Sequence, residues 1–196
     1  VPALRTFGGS GQFGRSQLQL VDTSESWIGG PFPVSYSFTV LDNATTPGAL
    51  DYHIHFIQGT DGYSGADYTD NNVLWLQIIS GTGTNSCVAN VSWKTNAPAS
   101  NPANVSLQIT NPVLAGTWTI TFLSDTNGTL TAPGAAPAPF SINLEDADAV
   151  ADFGSPMEVR FGIQNNGNPA NGGIPHDWSN ITVSGTAGTQ INEDFT

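Results

Sequence analysis

The sequence predicts an all-β protein, a two-sheet antiparallel β-sandwich with at most one short helix. Three observations carry this prediction. Apolar residues recur at every second position in run after run, the period of a strand with one buried face. Turn residues separate these runs every eight to fifteen positions. Charged residues make up only 10% of the chain, and Gly, Ser, Thr and Asn dominate, a composition that suits short strands and turns better than long helices.

The runs can be taken in order. Val34, Tyr36, Phe38 and Val40 alternate with hydroxyl residues, and Leu50, Tyr52, Ile54 and Phe56 alternate with Asp51, His53 and His55. Val73 to Ile79 is apolar on both faces apart from Gln77, the signature of a central strand covered on both sides or lining a groove. Val105, Leu107 and Ile109 follow the same period. So do Trp118, Ile120 and Phe122, then Phe140, Ile142 and Leu144, and finally Met157, Val159, Phe161 and Ile163. About a dozen strands with one apolar face require two sheets closed over one core. Phe38, Phe56, Trp118, Phe122 and Phe161 are its expected centre. Asn127-Gly128, between Phe122 and Leu130, is a strong hairpin signal. Glu145 to Phe153 is the one helical candidate, with acids in its first turn.

One domain is expected from 196 residues. It divides into a Gly-rich arm or edge strand over residues 1–16, a sandwich over 17–190, and a strand start or linker over 191–196. The chain begins at Val1, from which a removed leader is expected. Together with low lysine and abundant Thr, Asn and Gly, this points to an extracellular or cell-surface protein. The four basic residues are Arg5, Arg15, Lys94 and Arg160, against sixteen acids, for a formal charge of −12. That balance argues against nucleic acid and anionic membranes as partners. No apolar stretch is long enough for a membrane-spanning helix. The single Cys87 excludes an internal disulfide and reads as a small strand residue.

The run from about Tyr52 to Gly185 carries Val73-Leu-Trp-Leu-Gln-Ile78, Gly116-Thr-Trp-Thr-Ile-Thr-Phe122 with Gly128-Thr-Leu-Thr-Ala-Pro133, and Val159-Arg-Phe-Gly-Ile-Gln164 with Trp178-Ser-Asn-Ile-Thr-Val183. These segments resemble the concanavalin A-like (legume-lectin and laminin-G-like) jelly roll, in the versions found in secreted bacterial proteins. The resemblance covers about two thirds of the chain. It implies a jelly-roll sandwich and says little about activity, because this scaffold hosts lectins, hydrolases and adhesion modules. The laminarinases on it set Glu-x-Asp-x-x-Glu on one strand, which holds two carboxyl groups about 5 Å apart for retaining chemistry. That motif is missing: Glu145-Asp146-Ala147-Asp148 lacks the second glutamate, and Glu158 beside Arg160 reads as an exposed ion pair. The expectation is therefore a protein that is not an enzyme.

The candidate binding residues lie in and after one loop. Asp61-Gly-Tyr-Ser-Gly-Ala-Asp67-Tyr-Thr-Asp70-Asn71-Asn72 combines three carboxylates and two amides with Tyr63 and Tyr68. Oxygen donors of this kind suit a hard cation, so Asp61, Asp67 and Asp70 are candidate calcium ligands, although solvated turn acids are the plainer reading. A sugar site needs an aromatic platform and planar polar groups, which Tyr63, Tyr68, Asn72, Trp75 and Gln77 supply. His53 and His55 share one strand face, a geometry for metal ligation, and equally that of two polar residues on an outward face. His176 falls in a Gly/Pro-rich stretch. Three functions follow. The first is a non-catalytic module for carbohydrate binding or adhesion, with a glycan as partner. The second is a structural subunit of a filament or surface layer, with neighbouring copies joined by strand donation from a terminal arm. The last is a glycoside hydrolase whose carboxylates follow no recognisable motif.

Overall fold

A computed structural model describes residues 4–7, 15–20, 32–41, 51–58, 73–80, 86–94, 104–124, 126–141, 157–164, 175–185 and 188–193. Every regular element among them is a strand. In chain order these are β1 (Leu4–Phe7), β2 (Arg15–Leu20), β3 (Val34–Val40), β4 (Asp51–Gln58), β5 (Val73–Ser80), β6 (Ser86–Lys94) and β7 (Asn104–Val113). Then come β8 (Gly116–Phe122), β9 (Asn127–Thr131), β10 (Ala138–Ser141), β11 (Met157–Gln164), β12 (Pro175–Gly185) and β13 (Gly188–Glu193). The expected helix over Glu145–Phe153 lies outside the described residues.

The strands form two antiparallel sheets, as the alternation requires. One runs β1-β12-β3-β8-β9-β10, with β13 also paired to β12, and the other runs β2-β11-β4-β5-β6-β7. Hairpins make the local pairs, but the ends of the chain close the sheets. Strand β11 inserts between β2 and β4, and β12 lies between β1 and β3. Both terminal strands pair with β12 of the same chain: Leu4 opposes Trp178 and Ile191 opposes Val183.

The core lies between the sheets. On β3, Val34, Tyr36, Phe38 and Val40 are buried while the hydroxyl residues between them are half-buried. Trp118, Ile120 and Phe122 of β8 and Leu130 of β9 complete this side. From the other sheet come Tyr52, Ile54, Leu74, Leu76, Ile78, Ala89 and Val91. Tyr36, Phe122 and Phe140 pack edge to face in series, with centroids 6.0 and 5.9 Å apart, the geometry that the ring quadrupole favours. Trp118 is wholly buried, and its indole N–H donates to the Leu114 carbonyl at 2.8 Å, which removes the cost of burying that donor. Phe38, Trp118 and Phe122 thus sit where the alternation places them. The side chains of Phe56 and Phe161 lie outside what is described.

One local expectation needs correction, and the expected hairpin between Phe122 and Leu130 is present with its turn placed earlier. Val105 is 56% exposed and does not share the core face of Leu107 and Ile109. A register shift between Val91 and Ser92 puts Val105 opposite Ser92, so an extra residue on β7 turns Val105 to the other face. The turn between β8 and β9 lies ahead of Asn127-Gly128. The Leu123 and Ser124 amides both donate to the Asn127 carbonyl, at 2.8 and 3.1 Å, and the Ser124 hydroxyl accepts from the Thr126 and Asn127 amides. Gly128 is already inside β9, opposite both Phe122 and Phe140.

Candidate functional site

A two-layer sandwich leaves two outer faces, and they differ in chemistry. The outer face of the β3–β8 sheet is a grid of hydroxyls. Ser35 pairs with Thr121 at 2.9 Å, Ser37 with Thr119 at 2.8 Å and Thr39 with Thr117 at 3.0 Å. Thr129 and Thr131 of β9 continue these rows in register. The hydroxyls are bonded to one another across the strands, and none of these residues titrates near neutral pH.

The outer face of the six-stranded sheet carries different groups. Its rows follow from the register, because cross-strand partners share a face. Leu74, Leu76 and Ile78 are buried in the core, so Trp75 and Gln77 occupy rows on the opposite face. Tyr52 and Ile54 are buried in the same way, which puts His53 and His55 in those outer rows. One row runs Gln19, Arg160, His55, Trp75, Ser92, Val105. The next runs Gln17, Gly162, His53, Gln77, Asn90, Gln108.

Four of the sequence candidates therefore converge: His55 is the cross-strand partner of Trp75, and His53 that of Gln77. The strand that reads as central is central, with β4 on one side and β6 on the other. Tyr63, Tyr68, Asn72, Asp61, Asp67 and Asp70 lie outside the described residues. In sequence that segment lies between β4 and β5. His176 stands within β12 opposite Thr6, in the other sheet and away from His53 and His55. Among the described residues no third His, Cys, Asp or Glu joins the pair as a metal-binding group.

The structure adds residues that sequence reasoning did not assign to a site. The Gln108 amide donates to the Asn90 side-chain oxygen at 3.0 Å, which fixes one end of the second row as a line of oriented amides. Ser92 is buried although it belongs to the outer row, whereas Val105 next to it is exposed. Arg160 is the cross-strand partner of His55. The apolar alternation of β7 was legible in the sequence. The meeting of β11 with β4 was not, because about a hundred residues separate them.

Carboxylates are scarce here. Glu158 opposes Ile57 at one end of β4, and Asp51 opposes Gln164 at the other. Six residues of strand separate these positions, about 20 Å at the usual rise. That exceeds the roughly 5–9.5 Å over which a carboxyl pair performs glycoside hydrolysis. The described strands hold no such pair.

Cys87 and Tyr36 belong to the core and not to this face. Burial pushes the Cys87 thiol up to about 12 and the Tyr36 phenol well above its ordinary value of 10.0. The Cys87 thiol donates to the Pro112 carbonyl at 3.5 Å. A protonated, enclosed thiol is a poor nucleophile.

No protein-family model and no curated protein sequence matches this chain. Solved structures do. An alginate lyase from Pseudomonas aeruginosa superposes with a TM-score of 0.52 at 14% identity, over 94% of this chain and 83% of the lyase. The catalytic domain of an endo-1,3-beta-glucanase (laminarinase) from Thermotoga petrophila superposes with a TM-score of 0.54 at 9% identity, over 92% of this chain and 69% of that domain. At such identities the likeness establishes the fold alone, a two-sheet jelly-roll sandwich. It also corrects the expectation that this chain is not an enzyme. That expectation rested on one missing carboxylate motif, and this fold is shared with enzymes named for degrading two different polysaccharides. A missing Glu-x-Asp-x-x-Glu removes one arrangement of catalytic groups and leaves others open on the same face.

Proposed function

We propose that this protein is a carbohydrate-active domain that engages a polysaccharide across the outer face of its six-stranded sheet. The observation that carries this is the register that gathers His53, His55, Trp75, Gln77 and Arg160 from three strands into adjacent rows. An aromatic platform beside planar amides is what a sugar ring requires, since its C–H faces stack and its hydroxyls need directional partners. Imidazoles in the same rows are groups able to transfer protons near neutral pH. Shared fold with a polysaccharide lyase and a glucanase supports the reading. Within it, His53 and His55 are the groups that move protons, Trp75 and Gln77 hold the sugar, and action outside the cell or at its surface accompanies a polymeric ligand.

The experiment is affinity electrophoresis and product analysis on a panel of neutral and anionic polysaccharides, with the parent, Trp75→Ala and His55→Ala proteins. Retardation by at least one polymer, lost in Trp75→Ala, is the expected result. New chain ends that form with the parent and not with His55→Ala would identify the proton-transfer role. A parent protein that neither binds nor cleaves any member of the panel refutes the proposal.

A further inference from the structure

We infer that the polysaccharide is anionic, an inference that rests on the proposed site and specifies what the site takes. The reasoning starts from the scarcity of positive charge. The whole chain has four Lys and Arg residues against sixteen Asp and Glu. Three of those four fall on the outer rows of the six-stranded sheet: Arg160 opposite His55, Lys94 opposite Val73, and Arg15 opposite Gln164. Scattered placement among 196 residues would put hardly any of the four there. Among the described strands, these rows carry only Glu158 and Asp51 as acids, at opposite ends of β4. On the described strands these rows therefore carry three cations against two acids, in a chain whose total is −12.

The fourth cation is an internal comparison. Arg5 lies on β1 in the other sheet, and its cross-strand partner is Asp177. Opposite charges in that position are the ordinary way a strand pair uses an arginine. None of the other three has an acid as its cross-strand partner. Cations with no acid opposite them, Arg160 having Glu158 two positions along its own strand, suit a ligand that brings negative charge itself, as carboxylate or sulfate groups along a glycan. A chain of net charge −12 repels such a polymer overall, so contact depends on these cations.

The test uses the full chain in affinity gels containing a polyuronate, a sulfated glycan, a neutral β-1,3-glucan, or no polymer. The expected result is retardation by one or both anionic polymers, abolished at about 0.5 M NaCl where screening is strong. Arg160→Gln and Lys94→Gln should each weaken that retardation by at least about threefold, consistent with the loss of one ionic contact. Arg5→Gln should leave it unchanged, and thermal melts of all three variants show that they are folded. The polyuronate and sulfated arms separate carboxylate from sulfate recognition. Retardation by the neutral glucan alone overturns the inference and leaves the site reading intact. Anionic retardation that is indifferent to Arg160→Gln and Lys94→Gln overturns it as well. Retardation by no polymer refutes the site reading beneath it.

Discussion

Replacing Gly128 with alanine tests the packing between β8, β9 and β10. A Cβ built there lies 2.8 Å from Phe140 Cε1, and Phe140 Cζ and the Thr121 carbonyl oxygen are closer still. Contacts under about 3 Å are repulsive for carbon, so something must move. If the strands yield, overpacking costs about 1–3 kcal/mol, and the Phe122–Phe140 edge-to-face pair gives up part of its roughly 0.5–1.5 kcal/mol. If the ring leaves instead, burial of a phenylalanine that is now 4% exposed is lost, again about 2–3 kcal/mol. Either route gives about 2–4 kcal/mol, or roughly 5–12 °C of melting temperature for a domain of this size. Calorimetry and urea unfolding of Gly128→Ala measure it. Phe140→Leu in the same background removes the ring atoms in conflict, so the double variant should lose less than the sum of the two single losses. The contact with the Thr121 carbonyl persists, and recovery is partial. A Gly128→Ala protein that melts within about 1 °C of the parent refutes the reasoning, because the steric conflict would then have been absorbed at no cost.

Two further expectations concern stability. Ser37→Ala combined with Thr119→Val should show a coupling of about 1 kcal/mol in a double-mutant cycle by urea denaturation, from a cross-strand hydroxyl pair at 2.8 Å. Zero coupling would mean that water replaces the bond fully. Stability should also fall on the alkaline side. Burial raises Cys87 from 9.0 to about 12 and Tyr36 well above 10.0. The unfolded chain therefore releases these protons at lower pH than the folded one, and unfolding gains as pH rises from about 9 toward 12. Urea midpoints at pH 7, 9 and 10.5 should decline in that order, with a shallower decline in Cys87→Ala. At pH 8 a thiol reagent should label Cys87 only after denaturation.

Much of this protein was legible from its sequence because a strand with one buried face must alternate. Val34 to Val40 and Trp118 to Phe122 declared their inward residues without any partner in view, and the structure buries those residues. The same period put His53 and His55 on one outward face and marked Val73 to Ile79 as an interior strand. Local pattern failed where one residue changed the phase. Val105 continued the apolar period of Leu107 and Ile109, but the register shift against Val91 and Ser92 turned it outward, and nothing in its own strand announces that shift.

Glycine shows the same division. Asn127-Gly128 announced a hairpin, and there is one, but the tight turn is made by Ser124 and Thr126 hydroxyls ahead of it. Gly128 is required by a phenylalanine ring twelve positions away in sequence, a constraint visible only once β10 lies beside β9.

The site divides along that line too. The sequence by itself determined the alternation of β3, β4 and β8 and how few cations the chain has. Only the tertiary structure decided that Arg160 of β11 lies next to His55 of β4, and that three of four cations share a face. The physical reason is that alternation is a property of one strand, whereas pairing between distant strands is chosen by the closure of the whole core.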